Sequence, residues 1–250
     1  MGKYFTVTKK IEVAASIQHA AFSAGEVVAD WQTIQIPKGS ACLRSITMLV
    51  RPKGDATPTD NNFGADILFS KTNTVSLGTV GAAAAHNPNP DILGMIEFET
   101  GNYGSTTLQS TAIATTSTQG DTEAASVPLV LEGNPTSGDN VGYDTVYVSI
   151  VARGSFDWRT IVRLNDASGN MDVSVAGTTI ATDGSGMDIR EHFAAGDILH
   201  AHDDAVIGTV SSVTDATDLE LTSNFTASAL ADDDYVYNLH PITLVLGFER

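Results

Sequence analysis

The side chains best suited to bind a metal ion lie together in the segment HAHDD, residues 200–204. His200 and His202 would share one face of a strand, because alternate strand residues point the same way. Two imidazoles on one face can hold a transition-metal ion, and Asp203 and Asp204 follow directly. No third ligand stands at a spacing typical of metal sites. We therefore expect an ordinary strand-to-turn transition and predict no metal site here.

Two acidic segments could in principle bind a divalent cation. Asp232, Asp233 and Asp234 precede a tyrosine, and adjacent carboxylates repel one another unless a cation stabilises them. The run lacks the alternating oxygen donors and central glycine of a calcium loop. The segment DGSGMD, residues 183–188, reads as a glycine-rich turn. We expect both segments to be solvated turns.

Acid–base chemistry could come from Glu191 and His192, which follow Arg190 in the predicted helix at residues 187–195. On a short amphipathic helix these residues would form the solvent-exposed face. The chain has no nucleophile elbow, no P-loop and no dinucleotide-binding glycine motif after a strand. The sequence therefore predicts no catalytic residues, no cofactor and no enzymatic activity. The sequon at residues 224–226 is expected to stay unmodified, since no secretory signal is readable.

The aromatic residues and the single cysteine are expected to be structural. Trp31 and Trp158 lie in or beside predicted strands, where tryptophan usually anchors a core or an interface. A carbohydrate-stacking platform would need a cluster of aromatic residues, which the sequence does not show. Cys42 stands in an apolar run, which favours a buried thiol. Stability must then come from packing, oligomerisation or bound ions.

Composition and charge exclude several classes of partner. Hydrophobic residues make up 42% of the 250 residues, which is enough for a core. The formal net charge of −17 repels the phosphates of nucleic acid and anionic membranes. Such a charge either keeps the protein soluble or marks a salty medium or a face turned away from DNA. No apolar run approaches the ~20 residues of a membrane helix. We expect a soluble protein made in a cytoplasm.

Short segments rich in β-branched residues alternate with turn signals, which is typical of sandwiches and barrels. Residues 1–165 are predicted to form a β-sandwich, in which residues 41–50 are buried on both faces. Residues 100–126 contain almost no large side chains and are predicted to be a loop or an arm ordered by a neighbouring subunit. The predicted strands of this part cover residues 3–13, 26–36, 41–50, 65–69, 92–99, 127–131 and 143–152.

Residues 166–240 are predicted to form a smaller β-module with one short helix, capped by Asp188 and ended at Gly196. The final strand, within residues 241–250, could return to the sandwich, which would make the module an insertion. The predicted fold class is thus all-β, a jelly-roll-like sandwich plus a small barrel-like module. The module's predicted strands cover residues 172–175, 178–181, 197–202, 206–213, 219–222 and 235–238.

Part of this module resembles a β-module that recurs in virion proteins of tailed bacteriophages. The resemblance rests on GTTI at residues 177–180, FAAGDIL at 193–199, IGTVSSVTDATDLELT at 207–222 and the Phe-Thr pair at 225–226. The first 165 residues are similar in style to sandwich proteins that decorate phage heads. The chain departs from the head shell protein itself, since no long spine helix is readable.

The resemblance implies a virion structural protein, most specifically a decoration or cement protein on the capsid exterior. Its partners would be the major capsid protein and copies of itself, arranged as a trimer. Nucleic acid, membranes and small-molecule substrates are not expected. A tail, neck or fibre component that contacts the host is one alternative, and a carbohydrate-binding module is another. An enzyme such as a depolymerase would need paired carboxylates in a cleft.

Overall fold

The computed structural model describes residues 2–52, 61–103, 111–116, 128–135, 142–158, 178–181, 188–216, 218–225 and 235–250. The fold is nearly all-β, as predicted, with several antiparallel sheets. The strands are β1 (Tyr4–Ile11), β2 (Val27–Pro37), β3 (Ser40–Val50), β4 (Ala65–Ser70), β5 (Ile92–Phe98), β6 (Ala112–Thr115), β7 (Leu129–Glu132), β8 (Asn134–Pro135), β9 (Tyr143–Ala152), β10 (Thr179–Ala181), β11 (Ile198–Ala201), β12 (Val206–Val213), β13 (Asp218–Leu221), β14 (Val236–Asn238) and β15 (Ile242–Glu249). Helical structure in the described residues comprises α1 (Ala15–Gln18) and 3₁₀ turns at Thr100–Asn102 and Ile189–Glu191.

The first sheet has the antiparallel order β1-β15-β3-β6, and β7 pairs with the other half of β3. Alternate residues of β15, namely Ile242, Leu244, Leu246 and Phe248, are buried, while the residues between them are half-buried. This period of two places one face of the sheet in the core. The final strand therefore lies inside this sheet, between β1 and β3.

The second sheet has the order β2-β9-β4-β5, with β8 paired to β9. The predicted strand at residues 143–152 is confirmed, and Val146, Val148 and Ile150 face the core with no exposed surface. The chain crosses repeatedly between the two sheets, as in sandwiches with Greek-key connections. The inward side chains of both sheets belong to one hydrophobic cluster. These features establish the predicted sandwich-like arrangement.

A cluster of aromatic rings fills one part of this core. Phe22 and Phe156 stack with ring centroids 4.8 Å apart, and Phe63 stacks on Phe156. Trp158 meets Phe22 and Phe156 edge-on and donates its indole N–H to the carbonyl of Arg51, 3.3 Å away. Trp158 is completely buried, which confirms the prediction of a core anchor.

The third sheet is formed between β9 and β15 in the chain and has the order β10-β13-β12-β11-β14. In the described residues it is open, so the expectation of a barrel-like module is wrong. Its strands β10 to β14 lie where the sequence predicts them, apart from the predicted strand at 172–175, which is outside the described residues. Among the described strands, β10 and β14 lie at the two edges of this sheet.

The predicted helix at 187–195 is reduced to the 3₁₀ turn Ile189–Glu191 within the described residues. Asp188 caps it as predicted, since its carboxylate accepts the N–H of Arg190 at 3.0 Å. The Asp197 carboxylate accepts the N–H of Ala194 at 2.9 Å. That bond competes with helical hydrogen bonding and turns the chain into β11.

Three further expectations are wrong. β3 is buried on one face only, because its other face points away from the core. Cys42 lies on that outward side and is half-buried. Part of the predicted loop at 100–126 is β6, where Ala112 and Ala114 are fully buried opposite Val50 and Met48. Small side chains suit these positions because larger side chains on β3 fill the space. The remaining residues of the predicted loop, 104–110 and 117–126, lie outside the described part.

Candidate functional site

The structure separates the two histidines of the HAHDD segment. β11 ends at Ala201, so His200 lies on the strand and His202 lies on the turn after it. His200 is buried, with Nδ1 3.0 Å from the carbonyl oxygen of Asp204, whereas His202 is exposed. In the part of the chain that the structure describes, no three potential ligands gather in a metal-binding arrangement. Asp232, Asp233 and Asp234 lie outside that part, as do residues 182–187.

Residues 190–192 were predicted to form a solvent-exposed face, but the structure exposes only part of this segment. Arg190 is exposed and pairs with Asp188, its Nη2 lying 2.5 Å from a carboxylate oxygen. His192 is 1% exposed, which contradicts the expectation, because the short 3₁₀ turn directs this ring into the core. Neither of its ring nitrogens has a hydrogen-bond partner in the described structure. Burial, assisted by the positive charge of Arg51, lowers the pKa of His192 to about 4. The imidazole is therefore neutral at pH 7.

A buried carboxylate joins the third sheet to the first. Asp197 is 1% exposed, and its oxygens lie 3.1 Å from Lys10 Nζ and 3.3 Å from Arg51 Nη2. The side-chain amide of Asn238 donates to Asp197 at 2.8 Å. Gln18 donates to the carbonyl oxygens of Val13 and Asn238, which ties α1 to β14. We call the set Lys10, Gln18, Arg51, Asp197 and Asn238 the joint.

Arg51 is the positive charge of the joint that lies deepest. Burial lowers the pKa of its guanidinium, and the nearby Asp197 charge opposes that effect. Its Nη1 donates to the carbonyl of Glu191 at 3.1 Å. The joint thus holds charges in place between sheets, which is a structural role rather than a reactive pocket. Sequence reasoning missed it because Lys10 and Asp197 are 187 residues apart in the chain.

The face of the first sheet that points away from the core carries no charge over most of its area. We call this surface the outer face. Its members are exposed or half-buried side chains on four adjacent strands, paired in register. They are Thr6, Thr8, Ser45, Thr47, Leu49, Ile113, Thr115, Thr243, Val245 and Gly247.

The charges that border the outer face are paired. Arg44 and Glu249 form an ion pair at one end of the strands, with Nη2 to Oε2 at 2.5 Å. Lys10, at the other end, pairs with Asp197. Tyr4 and Val130 are 75% and 62% exposed beside the Arg44 end, and they extend the apolar surface there. An alternation of threonine and aliphatic residues is the sequence signal for this face.

The opposite side of the sandwich is acidic. Asp66, Glu97 and Glu99 surround the single guanidinium of Arg153 on the outward side of the second sheet. Three carboxylates against one guanidinium leave a net negative charge. Burial and a hydrogen bond that the protonated Glu97 carboxyl donates to Glu99 raise the pKa of Glu97, with neighbouring charges acting in both directions. The two faces of the sandwich therefore differ strongly in charge.

Trp31 lies in a groove of about 450 Å³ between the edges of β1 and β2. Its indole N–H donates to the carbonyl of Val75 at 2.7 Å, which fixes the ring. Lys9, Glu12 and Gln32 line the same groove. The ring is half-buried, so Trp31 is a groove residue rather than the fully buried anchor that Trp158 is.

No protein-family model matches this chain, and a search of curated proteins finds no significant match. Among the described residues, no helix has both the length and the apolar character needed to cross a membrane.

Proposed function

We propose that this chain is a structural protein of a tailed-phage virion, a decoration protein that binds the exterior of the capsid through the outer face. The observation that carries the proposal is the contrast between that uncharged face and a chain of net charge −17. A protein this acidic would disfavour close contact with another acidic surface over much of its own. Among the surfaces described above, the uncharged outer face is one where that repulsion is small.

Desolvation explains why this face suits docking. An unpaired charge that is buried on binding costs several kcal/mol, whereas threonine methyl and aliphatic groups are readily removed from water. Threonine hydroxyls can still bond to groups of the partner. The charged residues at the border, Arg44 and Glu249, already neutralise each other. The centre of the contact would then be uncharged and its rim polar, as in protein–protein interfaces generally.

The size of the outer face supports a multivalent arrangement. Four strands spaced about 4.8 Å apart and about six residues long present roughly 400 Å². A stable interface buries about 800 Å² on each partner. One outer face alone is thus expected to bind weakly, but several faces held together in a trimer would bind a repeating shell tightly by avidity. The proposal therefore includes self-association.

A charge placed on the outer face should weaken docking. Thr8→Glu puts a carboxylate on an exposed position of edge strand β1, and Thr33→Glu puts one on an exposed position of edge strand β2 in the other sheet. We expect T8E to bind capsids at least tenfold more weakly than the unmodified chain, because a buried unpaired carboxylate costs more than about 1.4 kcal/mol. T33E should bind normally. Co-sedimentation with capsids assembled without this chain measures both.

The matched pair controls for folding, since both changes put the same residue on an exposed edge strand. Equal binding by the two variants, with unchanged circular dichroism, would remove the outer face from the proposal. The wider proposal is tested by labelling purified virions with antibodies to this chain and counting copies by quantitative mass spectrometry. Capsid label and hundreds of copies are expected. Label confined to the tail, with about six to eighteen copies set by tail symmetry, would favour the tail alternative.

A second candidate function is favoured by the groove at Trp31. Aromatic faces beside carboxylate, amide and ammonium groups are suited to sugars, because the ring covers the apolar side and polar groups bond to hydroxyls. A glycan array should show no binding if the groove is only structural. Binding that Trp31→Ala abolishes would instead support a carbohydrate-binding protein. Trp31→Phe, which keeps an aromatic ring, should retain part of that binding.

A further inference from the structure

Two histidines that are far apart in sequence meet beside the joint. His19 follows α1 directly, and His202 lies on the turn between β11 and β12. Their ring centroids are 5.5 Å apart with an interplanar angle of 41°. Two imidazoles that bind one ion at Zn–N distances of 2.0–2.1 Å, with tetrahedral geometry, place their centroids about 5 Å apart. The observed separation is close to that value.

Both histidines are held in place by neighbouring contacts. Tyr237 is completely buried, and its hydroxyl lies 2.5 Å from Nδ1 of His19. Asp204 accepts the backbone N–H of Ser16 at 2.9 Å and its hydroxyl at 2.5 Å, which fixes the turn bearing His202 against α1. These two hydrogen bonds keep the turn attached to α1.

The hydrogen bond at Nδ1 has a chemical consequence for His19. A histidine that binds a metal through one ring nitrogen commonly has the other held by a polar neighbour, which fixes the orientation of the ring. Tyr237 has that position here, so the nitrogen directed to an ion would be Nε2. His202 is exposed, so its ring is accessible to an ion from solvent.

We propose that His19 and His202 together bind a divalent transition-metal ion such as Zn²⁺ and thereby clip α1 to the turn between β11 and β12. Imidazole ligands suit Zn²⁺, Ni²⁺ and Cu²⁺ and not Mg²⁺, which prefers oxygen. In the described residues no third protein ligand gathers at this point, and two imidazole ligands by themselves give a modest affinity. The ion would stabilise the contact between α1 and the third sheet.

Zn²⁺ binding to the full chain tests the proposal. Isothermal titration should show Zn²⁺ bound by the unmodified protein, and the melting temperature should rise with Zn²⁺ concentration until it saturates, because a ligand of the folded state stabilises it by mass action. Mg²⁺ should give no such rise. His202→Ala, which alters an exposed side chain, should weaken Zn²⁺ binding at least tenfold and remove the rise.

His19→Ala should have the same effect on Zn²⁺ binding, and His86→Ala is the matched control. His86 is an exposed histidine on the loop between β4 and β5, and its loss should leave binding unchanged. An unmodified protein that binds no Zn²⁺ would overturn the proposal. So would full Zn²⁺ binding by H202A, or a loss of binding in H86A as large as that in H202A.

Discussion

Replacing Asp197 with alanine is expected to lower the free energy of unfolding by about 3–5 kcal/mol, the usual cost of breaking a buried ion pair. The carboxylate is 1% exposed and accepts from Lys10, Arg51, Asn238 and the N–H of Ala194. Its removal would leave the half-buried Arg51 guanidinium and the Asn238 amide without this acceptor. The larger part of this cost comes from leaving these buried donors without an acceptor, and the smaller part from the lost electrostatic attraction to Asp197.

Urea unfolding, followed by circular dichroism and by tryptophan fluorescence, measures this change. Trp158 is a suitable probe because its indole bonds to the carbonyl of Arg51. Asp203→Ala is the matched control: this aspartate is exposed on the turn after β11 and accepts one backbone N–H. We expect D203A to cost less than about 1 kcal/mol. If D197A lowered the free energy of unfolding as little as D203A, the joint would contribute little to stability.

Acidification is expected to destabilise the protein through His192. The pKa of His192 is lowered to about 4 from 6.5, chiefly by burial and secondarily by Arg51, with Asp188 acting in the opposite direction. Below pH 6.5 the His192 imidazole binds a proton in the unfolded chain but stays neutral in the folded chain. The stabilising contribution is therefore complete above pH 6.5 and is lost as the pH falls towards 4. From pH 7.5 to pH 5 the loss from this residue alone is about 2 kcal/mol.

His192→Met isolates that contribution. Methionine fills a similar volume without a titratable group, so its free energy of unfolding should fall by about 2 kcal/mol less than that of the unmodified chain between pH 7.5 and 5. At pH 7.5 the variant should be as stable or more stable, because two buried ring nitrogens that have no hydrogen-bond partner among the described residues are removed. His240, whose pKa is also lowered by burial, acts equally in both proteins.

The control for the pH experiment is His86→Met, in which an exposed histidine changes instead. Its pH dependence should match that of the unmodified chain. Parallel curves for H192M and the unmodified protein would mean that His192 reaches water in the folded state, which would contradict its burial.

The strands were predictable because their side chains alternate. In β9 and β15 every second residue is apolar, and the structure buries those residues as the period of two requires. β6 was missed because alanine and threonine carry little pattern, and its place is decided by large neighbours on β3. The helix at 187–195 was predicted too long because the competing Asp197 carboxylate is a tertiary feature of the turn. The four residues of α1 are too few to show a helical period.

The candidate sites were less predictable than the fold. Spacing in the sequence paired His200 with His202, whereas the structure brings His202 to His19. The joint depends on residues in β1, α1 and β14, on Arg51 just after β3 and on Asp197 just before β11. These residues are neighbours only after the sheets have formed. Local pattern carries no information on such contacts. The outer face, by contrast, follows from the same alternation that defines the strands.

The position of β15 has a consequence for biosynthesis. Residues 242–249 supply a strand that lies between β1 and β3, although those two strands are translated some two hundred residues earlier. Until the ribosome has released this strand, β1 and β3 each lack a neighbour and expose unpaired backbone N–H and C=O groups that other chains can pair with. The first sheet is thus completed only after translation of residues 242–249, and a nascent chain cut before them would be prone to aggregate.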